Sequence, residues 1–495
     1  MDGSVILERL GRRKHILLLQ GPMGPFFDRL ARFLTRHGRR VTKVNFNGGD
    51  EWFYRQPGAV AFREGPDHWP GFLDALLNEH DIDAVIVFGD CRPYHRSAIY
   101  RARLREVAVF VFEEGYIRPN YVTFEYGGVN AFSMLPRLPV LFNLEGNQRP
   151  RIKPPARSFE RMAWYAVQYY LMGRLRRDRY QNYRHHKPFD IFPEAMYWIR
   201  ANLRKHAYRV KEWGVEARLA GPLKKRFFLA PLQVYNDSQV RSHSDYRGVR
   251  AFIAEVITSF ARSAPADVHL VLKHHPMDRG HRDYAQQIRR NAKHLGVTGR
   301  VHYIHDQHLP TLLKAAIGTV VINSTVGISS LFHGTPVKLM GRAVYDIRGL
   351  VHEGDLASFW TRPVPPDPDL VTRMRHYLID MTQVGGSFYC DEDIECLTPE
   401  MDPFVAPPRL QVLGGADALH GCKGDNTRTT PSPAPAHLPV PGLGAEVPVD
   451  QGWGVTARMG KLPEQAAALR GEVGTGGRGA DFHSAAKCLG VRQRW

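Results

Sequence analysis

Long apolar runs are missing from this 495-residue chain, and none approaches the ~18–20 residues that a membrane-spanning helix needs. Cysteine is sparse. Cys91, Cys390, Cys396, Cys422 and Cys488 are odd in number, scattered and without CxxC spacing. That pattern argues against both a disulfide framework and a zinc site. Acids are short relative to bases: 49 Asp and Glu stand against 67 Lys and Arg, a formal charge of +18. The excess points to an anionic partner, whether nucleic acid, a phospholipid surface or a phosphorylated substrate. No nucleic-acid-binding module motif is present, so nucleic acid is not the expected partner. There is also no repeat of solenoid period. The opening "MDGSVILERLGRRKHILLLQ" has a basic cluster before a short apolar run but no small-residue cleavage site. The run therefore reads as a first core strand, and a cytoplasmic location is expected.

With 43% hydrophobic and 23% charged residues, the composition is that of a globular protein. Apolar runs alternate with amphipathic ones from the start. "HILLLQ", "RVTKVNF", "AVIVFGD" and "VAVFVFEEG" read as strands; "PFFDRLARFLTRHG", "WPGFLDALLNEHD" and "RSAIYRARLRE" read as helices. A second alternating series runs from "RFFLAPLQV" to "PVKLMG". Such alternation predicts parallel sheets with helices on both faces. The expected fold is α/β and GT-B-like: two doubly wound Rossmann-like halves with the cleft between them. The predicted domains are 1–150, 151–220 (a helical basic/aromatic insertion), 221–400 and a disordered, Pro/Gly-rich tail over 401–495.

Ligands of doubly wound sheets sit beyond the carboxyl ends of strands. Asn45, Asn47, Asp90, Glu113 and Glu114 fall at such ends in the first half. Two acids closing an apolar strand need a cleft to face; Glu114 is the favoured one, as general acid, base or sugar ligand. In the second half, "HLVLKHHPMDRG" closes a strand with Lys273, His274, His275 and Pro276. A lysine and a ring N–H donor there suit the phosphate of a nucleotide leaving group. A metal held by His274 and His275 is disfavoured, because adjacent strand residues point to opposite faces. "VINSTVGISS" sets Asn323, Ser324, Thr325 and Gly327 between a strand and a helix. This is either an anion seat or ordinary capping. Asp237, in "QVYNDSQV", is either a helix cap or a carboxylate lining the cleft.

The stretches "VNFNGGDEWFY", "FGDCRPYH", "EEGYIRPNYVTFE", "PLQVYNDSQVRSHS", "KHHPMDRG" and "NSTVGISSLFHGTPVKLMGRAVYDIRGL" together resemble the capsule polysaccharide biosynthesis/export family of Gram-negative bacteria, in particular its β-Kdo transferases. The resemblance covers roughly residues 14–390. It implies a retaining glycosyltransferase that moves 3-deoxy-manno-octulosonic acid (Kdo) from CMP-Kdo to a (lyso)phosphatidylglycerol acceptor. That product starts the lipid linker of the capsule. It also implies Asp237 as nucleophile, Glu114 as the acid of the first half, His275 and Pro276 as the CMP grip, and Ser324 and Thr325 on the phosphate side. No metal and no cofactor beyond the donor substrate are expected. Other capsule biosynthesis or export proteins are expected partners.

A lipid acceptor without a membrane span calls for peripheral docking on the inner membrane. The basic, aromatic residues 155–212 are the expected surface, with Trp164, Arg174, Arg176, Arg177, Trp198 and Lys205 as contacts. The alternative is a domain-bridging helical pair with its aromatics in the core. Two other functions stay open: a non-catalytic export or assembly protein that keeps the fold, and a transferase using another nucleotide sugar.

Overall fold

The computed structural model describes residues 1–142, 158–184, 191–390 and 392–396. The expected tail over 401–495 lies outside these residues. The first half contains β1 (His15–Leu18), β2 (Arg40–Asn45), β3 (Ala59–Ala61), β4 (Ala84–Phe88), β5 (Ala108–Glu114) and β6 (Tyr121–Tyr126). The second contains β7 (Phe227–Pro231), β8 (His269–Lys273), β9 (Val301–Ile304), β10 (Gly318–Val321) and β11 (Val337–Leu339), and one strand follows, β12 (Gln383–Gly385). The first sheet runs β12-β6-β5-β4-β1-β2-β3 and the second runs β11-β10-β7-β8-β9. β1 to β5 are mutually parallel, as is the whole second sheet. The central strands are buried along their length, as sheets covered on both faces demand. In each sheet the chain reverses its direction of strand addition once, between β1 and β4 and between β7 and β10. Such switch points open a crevice at the strands' carboxyl ends.

Three features were not foreseen. β6 is antiparallel to β5, and Gly115 permits the tight return: a Cβ there would collide with the Tyr121 carbonyl. β12 crosses back from the second half and pairs antiparallel with β6, while Arg29 donates to the carbonyls of Phe388 (3.1 Å) and Cys390. Residues assigned to 221–400 thus include a segment that completes the first sheet. The opening residues form a helix, Gly3–Leu10, whose Val5, Ile6 and Leu10 enter the core beneath that sheet.

The two helices of the predicted insertion are divided between the halves. Ser158–Leu175 packs on the first: Gly48 and Gly49 lie so close to it that a Cβ on either would strike Met172 or Tyr169. Ile191–Lys211 packs on the second, where Tyr208 stacks on His305 at 3.5 Å and Arg204 donates to the Arg279 carbonyl at 2.9 Å. Just past this helix, buried Glu212 meets His305 Nδ1 at 2.5 Å and accepts from its backbone N–H at 2.9 Å. Burial alone would raise the Glu212 pKa; the bonds from His305 and Gln307 outweigh it and hold the carboxyl below its usual range.

Candidate functional site

At the switch point of the first sheet, polar side chains bind one another. Gln20, just past β1, donates to Tyr183 Oη (2.8 Å) and Tyr169 Oη (3.0 Å) and accepts from Arg92 (3.1 Å), which follows β4. Asn47 caps the helix Gly48–Phe53, accepting from the N–H groups of Gly49 (2.8 Å) and Asp50 (3.0 Å). Its amide donates to Tyr169 Oη at 2.7 Å. Asn47 is 2% exposed, so every polar atom it offers is committed within the protein. Asn45 is likewise buried and accepts from Lys43 at 3.1 Å. Asp90 is buried too; it accepts from the Val129 N–H at 2.9 Å and meets the Cys91 thiol at 3.1 Å. Burial raises its pKa. Its bond to Val129 helps hold the 127–133 loop, where Tyr116 Oη also accepts from the Asn130 N–H at 2.5 Å and Glu125 accepts from Ser133.

The paired acids of β5 part company. A Cβ on Gly89, at the end of β4, would lie 3.3 Å from Glu113 Oε2, which places that carboxylate beside Asp90. Burial lifts its pKa to about 7, the charges of Glu114 and Asp90 add to this, and Arg92 opposes it. Glu114, the next residue along the strand, takes the other face; the charges of both acids bear on half-buried Tyr389. Of the two acids, Glu113 is the one whose pKa burial brings toward neutrality, while the sequence reading favours Glu114.

In the second half, one network spans the switch point. Gln233, beyond β7, donates to Asn323 Oδ1 (2.9 Å), beyond β10, and to Asp237 Oδ2 (3.1 Å). Asn323 donates to the Gln239 carbonyl at 2.9 Å. Asp237 caps the short helix Ser238–Ser242 by accepting from Gln239 N–H at 2.9 Å, so capping, one of the two roles open in the sequence, is observed. The halves meet here: Asn130 donates to Gln239 Oε1 and accepts from Val344 N–H, both at 3.2 Å, and His243 Nε2 lies 3.5 Å from Cys91 Sγ. Asp237, Asn323 and Asp90 are thereby linked through a single chain of bonds.

Lys273 and His275 differ from these. Lys273 is 7% exposed as a residue, and its ammonium, which is not fully enclosed, has no hydrogen-bond acceptor among the described residues. Burial brings its pKa down to about 8, against the raising effect of the Asp306 charge. His275 Nδ1 accepts from Met277 N–H at 3.1 Å, which fixes the proton of the neutral ring on Nε2. Burial lowers its pKa to about 4, assisted by Lys273, Arg118 and Arg279. Arg118 belongs to the first half, on the β5–β6 turn, so cations of both halves bear on this ring. Pro276 opens the short turn Pro276–Asp278 that His275 caps. His274 points the other way, to Tyr303 Oη at 2.6 Å. Ser324 Oγ accepts from Val326 N–H at 3.2 Å; Thr325 caps the helix Val326–Phe332 without a side-chain bond.

Sequence reasoning missed Gln20, Arg92, Arg118, Asn130, Gln233 and His243. Most lie inside the quoted motifs, but nothing local marks them. Asp90, Cys91 and His243 form the one group among the described residues whose potential metal-ligand atoms all lie within 4.8 Å. Burial raises the Cys91 pKa and lowers His243 to about 4, so the thiolate a metal would need is disfavoured.

A family model described as "Capsule polysaccharide biosynthesis protein" matches residues 83–389. The chain is 45% identical over 390 residues to the "Capsule polysaccharide export protein KpsS" of Escherichia coli, covering 79% of this chain and 100% of that one. This chain belongs to the capsule polysaccharide biosynthesis family. Another member of similar sequence is the "Capsule polysaccharide modification protein LipB" of Neisseria meningitidis serogroup A, 43% identical over 76% of this chain and 92% of its own. Among solved structures, the Thermosulfurimonas dismutans KpsC "beta Kdo 2,7 transferase" aligns with a TM-score of 0.37 and 14% identity, over 75% of this chain and 96% of that one. The family model thus spans β4 to β12, including the whole second sheet.

Proposed function

We propose that this capsule-family protein is a retaining β-Kdo glycosyltransferase. It would move Kdo from CMP-Kdo to a (lyso)phosphatidylglycerol-type lipid, starting the linker on which capsular polysaccharide is assembled for export. The carrying observation is the pair Lys273 and His275: an ammonium without an acceptor among the described residues and a ring whose Nε2 carries the proton, at the carboxyl end of a parallel strand. Such a pair suits the phosphate of CMP, whose charge grows as the glycosidic bond breaks. The Thr325 hydroxyl and the Ser324 turn would complete the seat. Asp237 would attack the anomeric carbon while the bond to CMP breaks and its electrons pass to the phosphate. The acceptor hydroxyl would then displace Asp237 as its proton passes to a carboxylate of the first half. Two inversions retain configuration. Gln233 and the Gln239 N–H hold the Asp237 carboxylate in one orientation throughout. We assign the proton acceptor to Glu113 instead of Glu114, because its pKa of about 7 matches the task. In this reading Asn47 and Asp90 shape the cleft without touching substrate. Among the described residues no helix is long and apolar enough to cross a membrane, so a lipid acceptor would be met from the membrane surface, on the cytoplasmic side of the inner membrane.

The test is incubation of the full chain with CMP-Kdo and a phosphatidylglycerol analogue in the presence of chelator, with mass measurement of the product. One added Kdo is expected, and none from CMP-sialic acid or a UDP-sugar. A product from another donor would replace the donor assignment. A second reading, a non-catalytic export or assembly protein, is favoured by the capping bonds that occupy both Asp237 oxygens. Absence of turnover from every donor would select it.

A further inference from the structure

Two surface helices are apolar on the side where a surface helix is ordinarily polar. In Ser158–Leu175, Ala166 and Tyr169 are buried toward the first half. Trp164, Val167, Leu171 and Leu175 fall within an arc of about 80° on the opposite side, at 3.6 residues per turn, and are 61%, 54%, 45% and 65% exposed. In Ile191–Lys211, Tyr197, Arg204 and Tyr208 contact the second half. Met196, Ile199, Leu203 and Val210 fall within an arc of about 60°, turned well away from that face, and all are exposed. Trp213, just beyond, is 90% exposed. Each helix therefore buries one apolar side and offers another to whatever lies outside.

The setting of these stripes is basic. Residues 158–179 and 191–211 carry ten Lys and Arg against three Asp and Glu. Arg176 and Arg179 bind Glu51 (3.2 and 2.9 Å), and Lys205 is partly desolvated beside Arg279 and Asp306. Arg176 and Arg179 are therefore engaged with Glu51. Arg174, Arg177, Arg200, Arg209 and Lys211 are exposed. We infer that the two stripes with these cations form a docking face for an anionic phospholipid bilayer. Apolar stripes bordered by cations and tryptophans suit the boundary between headgroups and acyl chains. A second copy would set like charges against like, which disfavours self-association through the same face. The inference rests on the lipid-acceptor reading for its purpose but is measured without any sugar donor.

The experiment is sedimentation of the full chain with vesicles of phosphatidylglycerol and phosphatidylcholine, comparing wild type with the double variant Leu171→Glu, Leu203→Glu. Both positions are exposed, so an unchanged melting temperature is expected and is checked alongside. Wild type should sediment with these vesicles, weakly with phosphatidylcholine alone. The double variant should bind at least ~10-fold more weakly, from lost apolar insertion and added negative charge. Turnover of a water-soluble acceptor should be unchanged. Equal binding by both proteins, or none by wild type, overturns the inference. So does a wild-type dimer in light scattering that the double variant dissolves, since a second copy then covers the face. Vesicle binding as expected with no turnover from CMP-Kdo would instead overturn only the catalytic reading.

Discussion

The two halves present opposite kinds of strand end. In the first, Gln20 and Asn47 are bonded to Tyr169 of the Ser158–Leu175 helix, and Asp90 to the Val129 N–H and the Cys91 thiol. In the second, Gln233, Asn323 and Asp237 form a similar closed network, but Lys273 and His275 stand beside it with an ammonium and a ring N–H left over. Both halves carry polar residues at their crests, so polarity alone does not mark a binding site. Unpartnered buried donors do not mark a site by themselves either, since Tyr54 Oη and Arg39 Nε of the first half are such donors among the described residues. What sets Lys273 and His275 apart is a cation and a ring N–H, neither with a partner among the described residues, together at the carboxyl end of a strand.

This contrast can be broken by substitution. The largest effect is expected from Asp237→Asn. Asparagine retains the capping oxygen that accepts from Gln239, so folding and CMP affinity should hold while transfer falls by ~10³-fold or more. Mass analysis of stalled wild-type enzyme should place a Kdo adduct on the Asp237 peptide; an adduct on Glu113 or Glu114 would reverse the roles. His275→Ala should weaken CMP binding and lower turnover by about 10²-fold, the scale of one preorganised donor. Asn47→Ala should do the converse, costing about 1 kcal/mol of stability through the lost cap, measured by denaturant unfolding, with CMP affinity unaltered. A loss of CMP affinity there would erase the distinction between the halves.

The smallest effect concerns pH. Glu113 has a folded pKa of about 7, above its ordinary 4.5. Its stabilising protonation is fully present below the unfolded pKa and is lost as pH rises through about 7. Glu113→Gln should flatten the part of the stability profile between those values that Glu113 supplies, leaving the similar contribution of Glu125, also lifted to about 7 by burial. The same variant should remove the acidic limb of the transfer rate near pH 7. If Glu114→Gln does so instead, the assignment within the pair is reversed.

Much of the architecture was legible because fully buried parallel strands read as apolar runs closed by polar residues. "AVIVFGD" and "HLVLKHHP" announce both a strand and the end that faces a ligand. β12 was not legible: Gln383–Gly385 has no strand signal of its own and is ordered by pairing with Tyr121–Thr123. The choice between Glu113 and Glu114 was out of reach for a related reason. β5 is buried and apolar on both faces, so alternation carries no phase information. Asn47 and Asp90 stood at strand ends as expected, but their partners Tyr169 and Val129 are distant in sequence, and only the folded chain shows that they are already bonded. The capping role of Asp237 was readable from its place before a short helix; a nucleophilic role depends on what faces it across the cleft.

Calorimetric titration of the wild-type chain with CMP, in chelator, measures the difference between the halves most directly. Binding of one CMP per chain that is weakened in Lys273→Ala and in His275→Ala, and unchanged in Asn47→Ala, is the predicted result. Absence of CMP binding, binding that requires a divalent metal, or binding indifferent to Lys273 and His275 would contradict it.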